Sequence, residues 1–91
     1  MCNIAIKEIL TNRSLPDAGS LLYNHIVYAI DTDDKLQIDM TDVSSLPSIF
    51  LNASFGKAID GYGKDSVKKY VSFLHITKSQ AQRLSEYMSR Y

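Results

Sequence analysis

Residues 36–63 read LQIDMTDVSSLPSIFLNASFGKAIDGYG, and this stretch decides the fold because it joins a short strand to a helix through a polar turn. Leu36, Ile38 and Met40 alternate with polar residues, which predicts a half-buried strand at the centre of a sheet. Apolar residues then recur at helical spacing as far as the closing pair of glycines, which are typical of a helix end. The serines and the proline between the two patterns predict a turn, with the helix beginning near Ser48.

The sequence on either side of this stretch predicts further elements of both kinds. They are two strands, at about residues 3–10 and 70–76, and two helices, at about residues 15–30 and 77–91. Ser14 is placed to cap the first helix, and Thr77 with Gln80 forms a capping-box pattern at the start of the second. A short helical turn is also expected within residues 63–69. The order of elements predicts one α/β domain over residues 1–91, with a three- or four-stranded mixed sheet covered by about three helices.

Composition and charge exclude several classes of protein. The chain has no net charge, although residues 1–47 hold seven acids and three bases while residues 48–91 hold three acids and seven bases. A neutral chain lacks the basic field of a dedicated nucleic-acid-binding protein. The single cysteine, Cys2, excludes an internal disulfide and a zinc site built on paired cysteines. There is neither a signal segment nor an apolar run of roughly 18 residues, so we expect a cytoplasmic protein without membrane attachment.

Residue types that carry catalysis or bind metals do not form a recognisable constellation. Cys2 is either an N-terminal nucleophile, if Met1 is removed, or a small residue before a strand. His25 and His75 have no acid or cysteine at metal-ligand spacing. The sequence therefore predicts a protein that is not an enzyme and uses no cofactor or metal.

The turn and helix start within residues 39–52 form the predicted binding site for a protein partner. Its predicted contact residues are Asp39, Asp42, Ser44, Ser45 and Asn52. Ser48 is either a simple N-cap or turn serine, or a phosphorylation switch, because helix N-termini favour a phosphate. A phosphate beside the aspartates would repel an acidic surface docked at this turn, whereas a neutral serine would not.

At this segment the sequence resembles the STAS-like domains of unknown function, which are bacterial and phage proteins related to the anti-sigma-factor antagonists. The residues that carry the resemblance are Ile38, Asp39, Val43, Phe50, Leu51, Asn52, Phe55, Gly56 and Lys57. It continues more weakly to the end of the chain. The resemblance implies a regulatory, protein-binding role with a kinase-like ATPase or another regulator as partner. It also implies that Ser48 stands where the antagonists carry their phosphorylated serine, although Pro47 and Ile49 replace that serine's usual neighbours.

The basic second half of the chain supports an alternative function. Lys64, Lys68 and Lys69 lie among tyrosines, a mixture that is typical of single-stranded nucleic-acid binding. In this interpretation the protein is an accessory factor of the kind that phages or mobile elements encode. A homodimer is compatible with either function, because edge strands and complementary charges can pair with a second copy.

Overall fold

The computed structural model describes residues 2–43 and 46–91 of the chain. Its strands are β1 (Cys2–Ala5), β2 (Leu36–Asp39) and β3 (Val71–Leu74). Its helices are α1 (Ile6–Leu10), α2 (Leu15–Asp31), α3 (Ser48–Leu51), α4 (Lys57–Tyr62), α5 (Lys64–Tyr70) and α6 (Lys78–Met88). A π-helical segment, Asn52–Gly56, joins α3 to α4, so one helical run extends from Ser48 to Tyr62. No helix in the described ranges is both long enough and apolar enough to cross a membrane.

The sheet in the described part of the chain has three strands in the order β1, β2, β3, and all of them are parallel. The predicted central strand is confirmed, since Leu36 and Ile38 are fully buried. Ile38 is aligned with Ile4 on one side and with Phe73 on the other, so these three apolar residues share one face. The prediction of a mixed sheet was wrong. Every connection between neighbouring strands carries helices, which is typical of parallel pairing.

The predicted first strand is only half correct. The extended chain stops at Ala5, and residues 6–10 form α1. Ile6 and Ile9 stand three positions apart, which places both on the buried side of a helical turn. The guanidinium of Arg13 donates hydrogen bonds to the carbonyl oxygens of Glu8, at 3.1 Å, and Ile9, at 3.2 Å. These bonds satisfy carbonyl groups that a helix end leaves without a partner.

The predicted second element, α2, is confirmed at both ends. Ser14 is its N-cap, and the Ser14 hydroxyl accepts a hydrogen bond of 3.3 Å from the Asp17 amide. Pro16 lies in the first turn, where its missing N–H has no intrahelical role. The side of α2 that faces the core is buried at Ala18, Gly19, Leu22, Ile26 and Ala29.

The helical run from Ser48 to Tyr62 is packed between α2, the sheet and α6. On the α2 side, a Cβ built on Gly19 would lie 2.5 Å from the Cβ of Ala53, so the absence of a side chain permits this approach. On the sheet side, the ring of Phe55 contacts Phe73 with centroids 5.9 Å apart. The run ends at Gly63, whose φ of 90° suits a residue without a side chain.

The last third of the chain follows the prediction with shifted boundaries. The short turn expected within residues 63–69 is the seven-residue helix α5, which shortens the strand β3 to four residues. The capping box is confirmed. The Thr77 hydroxyl accepts from the Gln80 amide at 3.1 Å, and the Gln80 side chain accepts from the Thr77 amide at 3.0 Å.

Candidate functional site

The ends of two neighbouring strands bring three polar side chains together at one edge of the sheet. Asp39 ends β2, and His75 follows β3. The Asp39 Oδ1 atom accepts hydrogen bonds from the Thr41 amide at 2.9 Å, the Thr41 hydroxyl at 2.6 Å and the His75 Nδ1 at 3.0 Å. We call Asp39, Thr41 and His75 the carboxyl-edge cluster. The carboxyl ends of parallel strands are where open α/β sheets place their binding sites.

These hydrogen bonds fix the protonation of the cluster. They hold the pKa of Asp39 at about 2, below its ordinary value of 3.8, with the Thr41 hydroxyl as the largest cause and His75 as the next. Asp39 is therefore ionised at neutral pH and can only accept hydrogen bonds. The Nδ1 atom of His75 consequently carries the proton. In the neutral ring, Nε2 then keeps a lone pair, and the His75 side chain is 68% exposed.

The backbone around the cluster is constrained by the sheet. The Met40 amide donates to the Leu74 carbonyl at 2.9 Å, which continues the β2–β3 pairing one residue beyond β2. His75 then adopts a φ of 56°, and Asp42 a φ of 62°. Both lie in the left-handed region, which residues other than glycine seldom occupy. The two chain segments therefore leave the sheet through turns of fixed shape.

Two contacts attach the turn after β2 to the rest of the molecule. The Lys7 ammonium lies 3.4 Å from the Asp42 carboxylate, and both side chains are about two-thirds exposed, so the pair adds little stability. The Gln80 amide nitrogen donates to the Val43 carbonyl, and Gln80 itself is buried. The turn is thus held mainly by the first turn of α6. Of the predicted contact residues, Asp39 and Asp42 lie at this edge, while Ser44 and Ser45 lie outside the described residues.

The helix start that follows the turn is exposed. Ser48 is the first helical residue and Pro47 is the N-cap, so Ser48 is not the N-cap that the sequence offered as an alternative. No side chain among the described residues caps this end. Ser48 is exposed, and the neighbouring Ile49 side chain is 58% exposed. Asn52, another predicted contact residue, accepts a 2.7 Å hydrogen bond from the Tyr87 hydroxyl, so it helps to anchor α6.

A groove of about 360 Å³ lies between the helix start and α6. Leu46 and Leu51 line one side, and Arg83, Leu84 and Glu86 line part of the other. Leu46 and Leu51 stand on either side of Ser48 in the sequence. The groove therefore borders the predicted contact segment, and Leu46 and Leu51 are themselves nearly fully buried at its floor.

The three lysines of the alternative function lie on or beside α5. Lys64 and Lys68 line a second groove, of about 510 Å³, whose other lining residues include Phe73, Leu84 and Met88. The Lys64 ammonium also donates to the Tyr91 carbonyl at 3.4 Å. Lys69 is exposed, and its ammonium lies 5.2 Å from the centre of its neighbour's ring, that of Tyr70.

The tyrosines of the basic half are largely engaged in contacts within the chain. The Tyr70 hydroxyl donates to Asp33, and the Tyr87 and Tyr91 hydroxyls are 3.0 Å apart. Burial, followed by contact with Tyr91, raises the pKa of Tyr87 well above its ordinary value of 10. The hydroxyl groups of these three tyrosines are thus engaged within the chain, while Tyr62 and Tyr91 remain 36% and 44% exposed.

Sequence reasoning missed two members of the carboxyl-edge cluster, Thr41 and His75. A usable signal existed for Thr41, which directly follows a predicted strand, whereas His75 lay inside the strand predicted at about residues 70–76. The pairing itself depends on β2 and β3 being parallel neighbours, which the sequence pattern left open.

Cys2 is exposed at the sheet edge. Within residues 2–43 and 46–91, no three His, Cys, Asp or Glu side chains are grouped closely enough to hold a metal ion.

The comparisons with known proteins agree with the resemblance drawn from the sequence. No curated protein and no solved structure matches the chain at a significant level. Among protein families, the STAS-like domain of unknown function matches residues 18–81, from the first turn of α2 to the first turn of α6. The match includes β2, the turn after it, the whole helical run from Ser48 to Tyr62 and β3. Since it covers well over half of the sequence, the chain belongs to the family of STAS-like domains of unknown function.

Proposed function

We propose that this chain is a non-enzymatic regulatory module that docks a protein partner through the turn and helix start of residues 44–52. The observation that carries the proposal is the exposure of Ile49. An aliphatic side chain that is 58% exposed and adjoins an exposed serine is the kind of residue that forms the core of a protein interface. Most other large apolar residues in the described part of the chain are buried or half-buried.

The groove beside the helix start extends this surface. Leu46, Leu51 and Leu84 form its nearly buried floor, and Arg83 with Glu86 supplies a charged rim. An apolar centre with a polar rim is the usual anatomy of a docking site between proteins. Asp39 and Asp42 lie in the strand end and turn that precede this surface in the chain.

Ser48 is the proposed switch within this surface. It is exposed, and it stands in the first turn of a helical run whose N-cap, Pro47, contributes no side-chain hydrogen bond. The amide groups of this turn favour an anion, so a phosphate on Ser48 would be stabilised there. It would also add about −1.5 to −2 charges at pH 7 to a surface that already carries aspartates. Modification would therefore weaken binding of an apolar partner surface, because the partner would have to bury this charge beside Ile49. By family resemblance, the partner is a kinase-like ATPase or another regulator.

Substitutions on the exposed surface test this proposal. The tagged chain is expressed in the native host as wild type, Ile49→Asp or Tyr28→Asp, and the co-purifying proteins are quantified by mass spectrometry. Tyr28 is a matched control, because its side chain is 63% exposed and lies on α2. We expect one protein to be lost with Ile49→Asp and retained with Tyr28→Asp. The same proteins in equal amounts from all three variants would contradict the proposal.

A second pair of variants tests the switch. Ser48→Glu should reduce recovery of that same protein, while Ser48→Ala should retain it, because only the first adds negative charge. Ser20→Glu, at an exposed position on α2, is the control for added charge elsewhere. Circular dichroism of each purified variant checks that the fold is intact. Equal recovery with Ser48→Glu and wild type would leave docking possible but would exclude Ser48 as a switch.

A second candidate function, binding of single-stranded nucleic acid, is favoured by one observation. Lys64 and Lys68 lie one helical turn apart and line the same groove, next to the exposed Lys69. We expect any such binding to weaken with added salt and to be lost in the variant Lys68→Glu/Lys69→Glu. Binding to a fluorescent oligonucleotide, measured by anisotropy at two salt concentrations, checks this. Affinity that is unchanged by the double substitution would exclude this surface.

A further inference from the structure

The imidazole of His75 is held by one nitrogen and presents the other to solvent. Its Nδ1 atom donates to the ionised Asp39 carboxylate at 3.0 Å, and the Thr41 hydroxyl lies 3.1 Å from the same nitrogen. A carboxylate on Nδ1 fixes the tautomer and the ring orientation and makes Nε2 a stronger electron-pair donor. The ring is thus prepared for chemistry at Nε2.

The position of the ring is fixed by the sheet as well as by its hydrogen bonds. The Met40 amide bonds to the Leu74 carbonyl immediately before His75, so the two segments that meet in the cluster are joined by backbone pairing. His75 then holds a φ of 56°, in the left-handed region that few non-glycine residues occupy and that histidine enters more readily than most. Backbone conformations of this kind are concentrated at functional sites.

Positive groups follow His75 closely in the chain. Helix α6 begins at Lys78, three residues after His75, and it is eleven residues long. The positive end of its dipole and the exposed Lys78 side chain therefore follow the ring directly in the chain. The nearest acid in the adjoining turn, Asp42, is paired with Lys7 at 3.4 Å.

We propose that Nε2 of His75 is a phosphoryl-acceptor site, with a nucleoside triphosphate bound by a partner protein as the donor. The Nε2 lone pair attacks the terminal phosphorus, so an N–P bond forms. The bond from that phosphorus to the bridging oxygen breaks, and the nucleoside diphosphate leaves with the electron pair. The Nδ1 proton stays on the ring, where the Asp39 carboxylate balances the positive charge that the ring acquires. Asp39 is a positioning residue in this step. The inference does not depend on the docking surface proposed above.

A small phosphoryl donor tests the reactivity of the ring without any partner. The purified chain is incubated with phosphoramidate, which transfers its phosphoryl group to imidazoles and releases ammonia. The rates of phosphorylation at His75 and at His25 are measured by mass spectrometry, both in the native chain and in urea. His25 is the internal control, being half-buried on α2. We expect His75 to react about tenfold faster than His25 in the native chain, and at a similar rate in urea. Equal native rates would contradict the proposal.

The site of attachment distinguishes a positioned ring from one that is merely exposed. Phosphorus-31 NMR should show the product on Nε2 alone in the wild type, because Asp39 occupies Nδ1. In Asp39→Asn, we expect the rate to fall about tenfold and a product on Nδ1 to appear. Nε2 product at the wild-type rate in that variant would show that Asp39 does not position the ring.

The nature of the donor is tested in the native host. The chain is incubated in host lysate with ATP carrying labelled terminal phosphate, and the label is assayed after alkaline and after acid treatment. Phosphohistidine survives alkali and is lost in acid, whereas phosphoserine behaves in the opposite way. We expect an alkali-stable label that is absent from His75→Gln and retained in Ser48→Ala. Absence of an alkali-stable label, or its retention in His75→Gln, would overturn the assignment to a triphosphate-dependent modification of His75.

Discussion

Substitution of Gly19 by alanine tests the contact through which the helical run from Ser48 to Tyr62 packs on α2. A Cβ at this position would lie 2.5 Å from the Cβ of Ala53 and 3.0 Å from the carbonyl oxygen of Phe50. Neither atom belongs to a flexible side chain, so the two helices must move apart. Overpacking of this kind costs about 3 kcal/mol. About 1 kcal/mol of this loss is recovered because alanine has a higher helix propensity than glycine. The net expectation is a loss of about 2 kcal/mol in the free energy of unfolding, which lowers Tm by roughly 10 °C in a domain of this size.

At a second helical glycine we expect alanine to raise the free energy of unfolding. Gly61, in α4, has no atom within 4 Å of its built Cβ, so Gly61→Ala gains helix propensity without a clash. It should stabilise the protein by up to about 1 kcal/mol. Thermal and urea unfolding of both variants, followed by circular dichroism at 222 nm, measures the two changes. If Gly19→Ala is as stable as wild type or more stable, the close packing of α2 on the π segment is refuted.

Three further substitutions test other parts of the structure. Thr77→Ala removes the capping box of α6 and should cost about 1 kcal/mol in thermal unfolding; an unchanged Tm would show that the cap is not used. Leu84→Ala should lower the free energy of unfolding by about 2 kcal/mol, which is at the low end for a buried leucine, because the grooves on both sides of Leu84 allow its surroundings to relax. A clearly larger loss in urea unfolding would show that the surroundings do not relax and that a cavity remains. The lowered pKa of Asp39 adds stability that is fully present above the ordinary value of 3.8 and is lost as pH falls through about 2. Asp39→Asn should therefore lose less stability than wild type between pH 4 and pH 2, and parallel pH profiles of the two proteins would contradict this.

Elements with strong local signals could be predicted from the sequence. The cap at Ser14 and the apolar side of α2 specify that helix within a residue at each end. The capping box at Thr77 is likewise a local pattern that the structure contains in full. Each of these elements is defined by residues within one or two helical turns, so no knowledge of the tertiary structure was needed.

Elements that depend on tertiary contacts could not be predicted in this way. Helix α1 has only five residues, and the apolar residues Ile4 and Ile6 alternate as in a strand, so the helical spacing of Ile6 and Ile9 was not distinctive. The π segment is another such element. The Ser54 hydroxyl there donates to the Phe50 carbonyl at 2.8 Å inside the protein, which satisfies a buried group. Such a local change of helix geometry has no period that a sequence pattern reveals.

The candidate site likewise contains one residue that could be predicted from the sequence and one that could not. Asp39 could be chosen from its position at a strand end, before an acidic turn. Its partner His75 is 36 positions away, and only the parallel register of β2 and β3 brings the two together. The family motif is explained by packing at two positions. Asn52 bonds to Tyr87, and a Cβ on Gly56 would lie 2.5 Å from the Tyr87 hydroxyl and 2.7 Å from the Tyr91 hydroxyl. These motif residues therefore form part of the surface on which α6 and the end of the chain pack.

Site-specific photocross-linking tests most directly whether the helix start is a docking surface. A benzophenone amino acid is placed at position 49 or, as a control, at position 28, and cells of the native host are irradiated. Both side chains are more than half exposed, so they sample solvent to a similar extent. The account predicts a cross-linked protein at position 49 that is absent at position 28. No adduct at position 49, or the same adducts at both positions, would contradict it.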